Sequence, residues 1–164
     1  MIPQFEKLSE DQKELMYDAI PLITIYIAGA DGKIDPEEAA WAEKLTKIRS
    51  YAHHESLQEY YSNLGETYSD RMNKYIGVLP TDIAARTEAI GEKLAGLNSV
   101  LPMLEVNFAA RYYKGLLSFA KHVAKASGGF FGFGSISSDE ERLMKLDVIT
   151  PVDFEEDHEE GNEA

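Results

Sequence analysis

Three carboxylates crowd into the segment Ile27–Glu38, IAGADGKIDPEE: Asp31, Asp35 and Glu38, with Glu37 beside the last. All-oxygen groups of this kind suit hard divalent cations, calcium or magnesium, better than metals that prefer nitrogen or sulfur. Gly32 can be laid on the obligatory glycine of a calcium-binding EF-hand loop. Ile34 then takes the apolar eighth position and Glu38 the bidentate twelfth. The first and third positions fall on Ile27 and Gly29, neither of which can bind calcium, so a full EF-hand is excluded. A shorter oxygen-ligand group of Asp31, Asp35 and Glu38 remains. The same residues also read as a helix stop followed by a helix cap, with Asp35 at the N-cap, Pro36 in the first helical position and Glu38 completing the box. Capping accounts for Asp35 and Glu38 and does not need Asp31.

A second unusual stretch is Gly128–Gly134, GGFFGFG. It is expected as a loop between helices that presents Phe130, Phe131 and Phe133. The rings either fold back to plug the core or form an exposed apolar patch for a protein partner or a membrane surface. It is no phosphate loop, because Gly129-x4-Gly134-Ser135 lacks the lysine of a Walker motif. His53 and His54 are adjacent and would point apart on a helix, His122 stands alone, and His158 lies near the end. None has a second nitrogen ligand at a useful spacing. The chain has no cysteine, which removes disulfides, thiolate zinc sites and a catalytic thiol and fits a reducing compartment. Catalysis by paired carboxylates needs two acids facing each other across a pocket in different environments. The acids here lean to solvent at helix starts, and a non-enzymatic role is expected.

Helices are the elements that must position these groups. Ser9-Glu10-Asp11-Gln12 has capping-box form, and Leu15, Met16, Ala19, Ile20, Ile23 and Ile27 follow at three-to-four spacing on one face. Pro21 is expected to bend or split that helix. Asp31-Gly32 ends it, and a further helix buries Trp41, Leu45, Ile48 and Ala52. Leu57, Tyr61, Leu64, Tyr68, Met72, Tyr75 and Leu79 mark a third, weakened at Gly65. Pro80-Thr81 caps a segment with Ile83, Thr87, Ile90, Leu94 and Leu97 on one side. Leu104, Phe108, Tyr112, Leu116, Phe119 and Val123 form the last long stripe. The nine tyrosines sit largely at helical spacing and read as core and helix-packing residues. No stretch alternates like a strand. The expectation is an all-α bundle of six to eight helices over residues 1–150.

The chain has 164 residues, 44% apolar and 27% charged, which suits one globular domain with a real core. Its formal charge is -13, so nucleic acid and anionic membrane surfaces are disfavoured as partners, and cations or a basic protein are favoured. Residues 153–164 hold seven of the acids and no lysine or arginine, and residues 151–164 are expected to be a disordered acidic tail. The run Ile20–Ala30 is about half the roughly 20 residues a bilayer crossing needs, so no transmembrane segment is expected. The first residues have early acids and no apolar signal core, and a cytoplasmic location is expected.

The two unusual stretches match each other. Ile27, Ala28, Ala30 and Gly32 pair with Val123, Ala124, Ala126 and Gly128, 96 positions on. After six extra residues, Gly129–Gly134, the match resumes with Ile34 on Ile136, Asp35 on Ser137, Glu37 on Asp139 and Glu38 on Glu140. This internal repeat predicts two related helix–loop–helix halves. Ala-Asp-Gly, a branched apolar residue and an acid or Ser-x-x-Glu helix start, found twice in an all-helical chain, resembles the TerB-like domain of tellurite-resistance proteins and of some membrane-anchored J-domain co-chaperones. The resemblance spans roughly residues 8–147. It implies a bacterial tellurite- or stress-resistance protein that works in membrane-associated complexes rather than by catalysis. It also implies acidic metal ligands at both loops: Asp31, Asp35 and Glu38 in the first, Glu140 in the second. Ser127 stands where the second copy would have its aspartate, and the six-residue insertion divides the second motif.

Overall fold

The computed structural model describes residues 2–30, 54–130 and 138–155, together with Ala40, Glu43, Lys44, Thr46, Lys47 and Arg49. A 3-10 turn at Pro3–Phe5 leads into α1 (Glu10–Ala28), followed by α2 (Glu55–Val78), α3 (Ile83–Ala95) and the short α4 (Leu97–Val100). A second 3-10 turn at Leu101–Met103 precedes α5 (Val106–Phe130) and α6 (Ser138–Leu143). The protein is all-α, with no strand among the described residues. No helix there is long and apolar enough to cross a membrane.

The first helix begins as its residue types demand. Ser9 Oγ accepts from the Gln12 N–H at 3.2 Å, and Gln12 Oε1 accepts from the Ser9 N–H at 2.8 Å. Glu10 and Asp11 then face the positive end of the helix dipole. Spacing predicts a single apolar face, but every residue from Asp18 to Ala30 is buried. Leu22, Ile25 and Tyr26 fill the other sides, because α2, α3, α5 and α6 all pack on this one helix.

Pro21 does not split α1, which runs unbroken from Glu10 to Ala28. An interior proline costs a helix roughly 3 kcal/mol, and close packing on every side can offset that. The turn before it is also held from outside. Tyr60 and Tyr112 both donate their hydroxyls to the Met16 carbonyl, at 2.6 and 2.8 Å. One turn beyond, Thr24 donates to the Ile20 carbonyl at 2.9 Å and receives the Tyr68 hydroxyl at 3.2 Å.

Among the described residues, Tyr26, Tyr60, Tyr61, Tyr68, Tyr75, Tyr112 and Tyr113 are buried in the core, as spacing predicts, and Tyr17 packs at its edge. Tyr17 stacks on Tyr60 with ring centroids 5.2 Å apart, and Tyr60 meets Tyr61 and Tyr112 edge-on at 5.0 and 5.4 Å. Phe5 closes the cluster edge-on against Tyr17 and Phe108. The expected stripes of α2 and α5 are buried throughout.

Several local expectations need correction. Helix α3 is capped by Asp82, whose carboxylate accepts from the Ala85 N–H at 2.9 Å, and not by Thr81. Its first residue Ile83 is exposed, while Arg86 is buried in its place. The glycine pair Gly128-Gly129 does not stop α5, which continues to Phe130. Phe130 therefore sits on a helix rather than in a loop. An interior glycine costs about 1 kcal/mol, which one more hydrogen-bonded turn on a long helix can absorb. Past Pro151, where composition predicts disorder, residues 151–155 lie against α5.

Candidate functional site

The first helix stops three residues earlier than Asp31-Gly32 predicts. Gly29 is its cap, with φ at -89° and its N–H on the Ile25 carbonyl at 2.9 Å, and the Ala30 N–H reaches the Ile27 carbonyl at 3.2 Å. Carbonyls at a helix C-terminus lack partners and carry partial negative charge. Arg86 of α3 answers this: its Nη2 donates to the Gly29 carbonyl at 2.7 Å, in a buried position. One guanidinium thus satisfies the end of α1 and fixes α3 against it.

Beyond that joint lies a cavity of about 590 Å³ lined by Ala30, Asp82, Ile83, Ala84, Thr87, Glu88, Asp139, Arg142 and Leu143. Three chain segments supply its wall: the residue leaving α1, the first turns of α3, and helix α6. Among the described residues, its charged groups are Asp82, Glu88 and Asp139 against Arg142, which stands 3.9 Å from Asp139. Both members of that pair are about two-thirds exposed, so it is a weak, water-screened contact. Asp82 has a carboxylate oxygen committed to its helix cap. Ile83 is exposed beside them, and Ile76 and Val78 at the end of α2 are exposed as well. The cavity rim is therefore acidic with apolar neighbours.

The sequence-derived ligands fall largely outside the described residues. Asp31, Asp35 and Glu38 lie outside the described residues, as do Phe131 and Phe133. Glu140 is on α6 and Phe130 is the last residue of α5, and the side chains of both lie outside the described ones. What is brought together is the flanks: Ala30, directly before Asp31, and Asp139 with Arg142 and Leu143, around Glu140, share one cavity wall. Among the described residues, no group of three or more histidines and carboxylates is placed to hold a metal ion.

Elsewhere the polar groups are closed on themselves. Asp18, buried on α1, accepts from Arg71 Nη1 at 2.7 Å and from the Tyr75 hydroxyl at 2.5 Å. Glu14 takes a second bond from Arg71 at 2.8 Å. Burial, and then the bond to Asp18, push the Tyr75 phenol well above its ordinary range, so it stays a proton donor. Arg49 is buried as well, donating to the Tyr61 hydroxyl at 2.9 Å, the Gly115 carbonyl at 3.1 Å and Ser118 Oγ at 3.0 Å. Trp41, Leu45, Ile48 and Ala52, the stripe expected for its segment, lie outside the described residues.

The histidines among the described residues serve the backbone. His54 caps α2 by accepting the Ser56 N–H at 3.1 Å. His122 Nδ1 donates to the Ser118 carbonyl at 2.7 Å, since that oxygen can only accept. Sequence reasoning missed Asp82, Arg86 and Arg142 at the cavity. Asp82 carried a signal, as the first residue with a good capping side chain before a helical run. No family model matches the chain, and no match to it was found among the curated proteins or the solved structures.

Proposed function

We propose that the chain is a non-enzymatic, TerB-like interaction protein of a stress- or tellurite-resistance system, built as a bundle of two related helix–loop–helix halves. It responds to a divalent cation, calcium or magnesium, at the loop carrying Asp31, Asp35 and Glu38, and it docks a protein partner through the neighbouring Phe130–Phe133 segment. The observation that carries this reading is the cavity shared by Ala30 and helix α6. Ala30 leads into the first repeat loop and α6 follows the second, which supports a coupling between an ion held at one loop and a partner docked at the other. The acidic rim of Asp82, Glu88 and Asp139 favours a cation there. The exposed Ile83 on the cavity wall adds an apolar contact that suits a protein partner.

A second reading, a structural adaptor with no bound metal, rests on Asp82. This cavity carboxylate is a helix cap, and Asp35 and Glu38 fit the same role. Calorimetric titration of metal-free protein with calcium, magnesium and zinc separates the two. The sensor reading expects calcium or magnesium binding that is lost in Asp31→Ala and kept when residues 156–164 are removed. Binding that disappears only with residues 156–164, or no binding at all, leaves the adaptor.

A further inference from the structure

The last described residues are held as a ligand is held. After Ile149, which is buried, the chain runs along α4 and α5 and is gripped by its main chain. Asn98 Nδ2 donates to the Val148 carbonyl at 2.9 Å while Asn98 Oδ1 accepts the Thr150 N–H at 2.7 Å. Farther along, Asn107 Oδ1 accepts the Glu155 N–H at 2.9 Å, and Asn107 is itself 6% exposed. A carboxamide offers one donor and one acceptor at peptide spacing, so it binds any extended backbone regardless of side chain.

Side chains then add a pattern. Val152 packs on the core edge. Asp153 pairs with Lys114 at 3.0 Å. The Phe154 ring lies 5.5 Å from the Arg111 guanidinium and 5.8 Å from the Lys114 ammonium. Two cations placed on α5 of a chain with formal charge -13 select for an acid followed by an aromatic residue. Beside Val152 is a second cavity, of about 300 Å³, walled by Leu101, Leu104, Val106 and Ala109, with room for a larger apolar side chain than valine.

We propose that this groove is a peptide-binding site kept closed by the chain's own C-terminal segment. Its external ligand is an extended segment of a partner protein reading bulky apolar residue, acid, aromatic residue. The tethered segment competes at the high effective concentration of a short linker, so a free peptide enters readily only when the tethered one is weakened. Main-chain bonds from Asn98 and Asn107 supply register, Arg111 and Lys114 select the aromatic and acidic residues, and the apolar cavity favours leucine or phenylalanine over valine.

The test is fluorescence anisotropy with a labelled peptide of residues 149–157, ITPVDFEED, on the full-length protein and on full-length Phe154→Ala. Circular dichroism verifies that the variant keeps its helices. Asp153→Ala, at a largely exposed side chain, serves as a second weakened chain. Phe154→Ala should bind the peptide about tenfold tighter than the unaltered protein, the factor a partly desolvated cation–ring contact supplies, and Asp153→Ala, which loses only an exposed ion pair, about two- to threefold tighter. A peptide carrying Phe154→Ala should lose that gain, and one carrying Val152→Leu should exceed it. Equal or absent binding by the unaltered and weakened chains overturns the proposal. So does a concentration-dependent dimer of the unaltered protein that Phe154→Ala abolishes, which would make a second copy the occupant.

Discussion

Asp18 and Arg71 are 53 positions apart, and nothing in their local spacing pairs them, yet a 2.7 Å contact between them joins α1 to α2. Removing Asp18 leaves the Tyr75 hydroxyl without its acceptor and Arg71 with the half-exposed Glu14 as its carboxylate partner. Asp18→Ala should cost about 3 kcal/mol in urea denaturation, the lower range for stripping one partner from a buried ion pair. Lys13→Ala breaks only a contact with the largely exposed Glu10 and should stay within about 0.5 kcal/mol of the unaltered protein. The phenols give a pH signature. Burial raises the Tyr60, Tyr68 and Tyr112 hydroxyls well above the ordinary value, while an unfolded chain ionises them near pH 10. The folded state therefore binds more protons above that point. Stability is fully present below pH 10 and should fall above it, by about 1.4 kcal/mol per pH unit for each phenol and about 4 for the three. Denaturation between pH 8 and 11, followed with tyrosinate absorbance, measures this.

At the scale of elements, apolar period located the stripes of α2 and α5 and the capping box located the start of α1. Ends were harder to read, because they depend on what packs there. Gly29 stops α1, while Gly128 and Gly129 do not stop α5. The repeat placed a glycine stop in both halves, and a glycine ends a helix only when the surroundings do not favour another turn. The full burial of α1 was equally hidden, since a helix wrapped on all sides shows a weakened period. Gly65 in α2 gives a direct check. A Cβ there would meet Lys47 Cγ and Thr46 Oγ1 at 3.8 Å, ordinary contact distance. Gly65→Ala should raise stability by about 0.5–1 kcal/mol through a stiffer unfolded chain and better helix propensity. Gly96→Ala should lower it, because the new methyl would lie 3.0 Å from the Lys93 carbonyl oxygen and 3.1 Å from Leu15 Cδ2. Thermal melts of the two variants should move in opposite directions.

For the whole molecule, the all-helical class was legible because helical periods recur from end to end. That Ala30 and α6, which flank the two repeat loops, line one cavity was not legible, since a repeat says that two pieces are alike and not where they lie. Arg86 and Asp82 of α3, which complete that place, belong to neither half. The charge of -13 makes a further prediction, because self-repulsion opposes the compact state. Raising sodium chloride from about 0.05 to about 0.5 M shortens the screening length from over 10 Å to under 5 Å and should raise the melting temperature.

The burial of α1 on every side also orders events during synthesis. Its most apolar stretch, Ala19–Ala28, is translated early, but α5, one of the helices that cover it, begins only at Val106. At roughly 5–20 residues per second, the nascent chain carries this apolar helix without its α5 cover for about 4 to 16 seconds. The interval is long beside collapse times and leaves a window for chaperones or for neighbouring ribosomes to capture it. Slowing translation between α1 and α5 should therefore lower the yield of folded protein even though the finished sequence is unchanged.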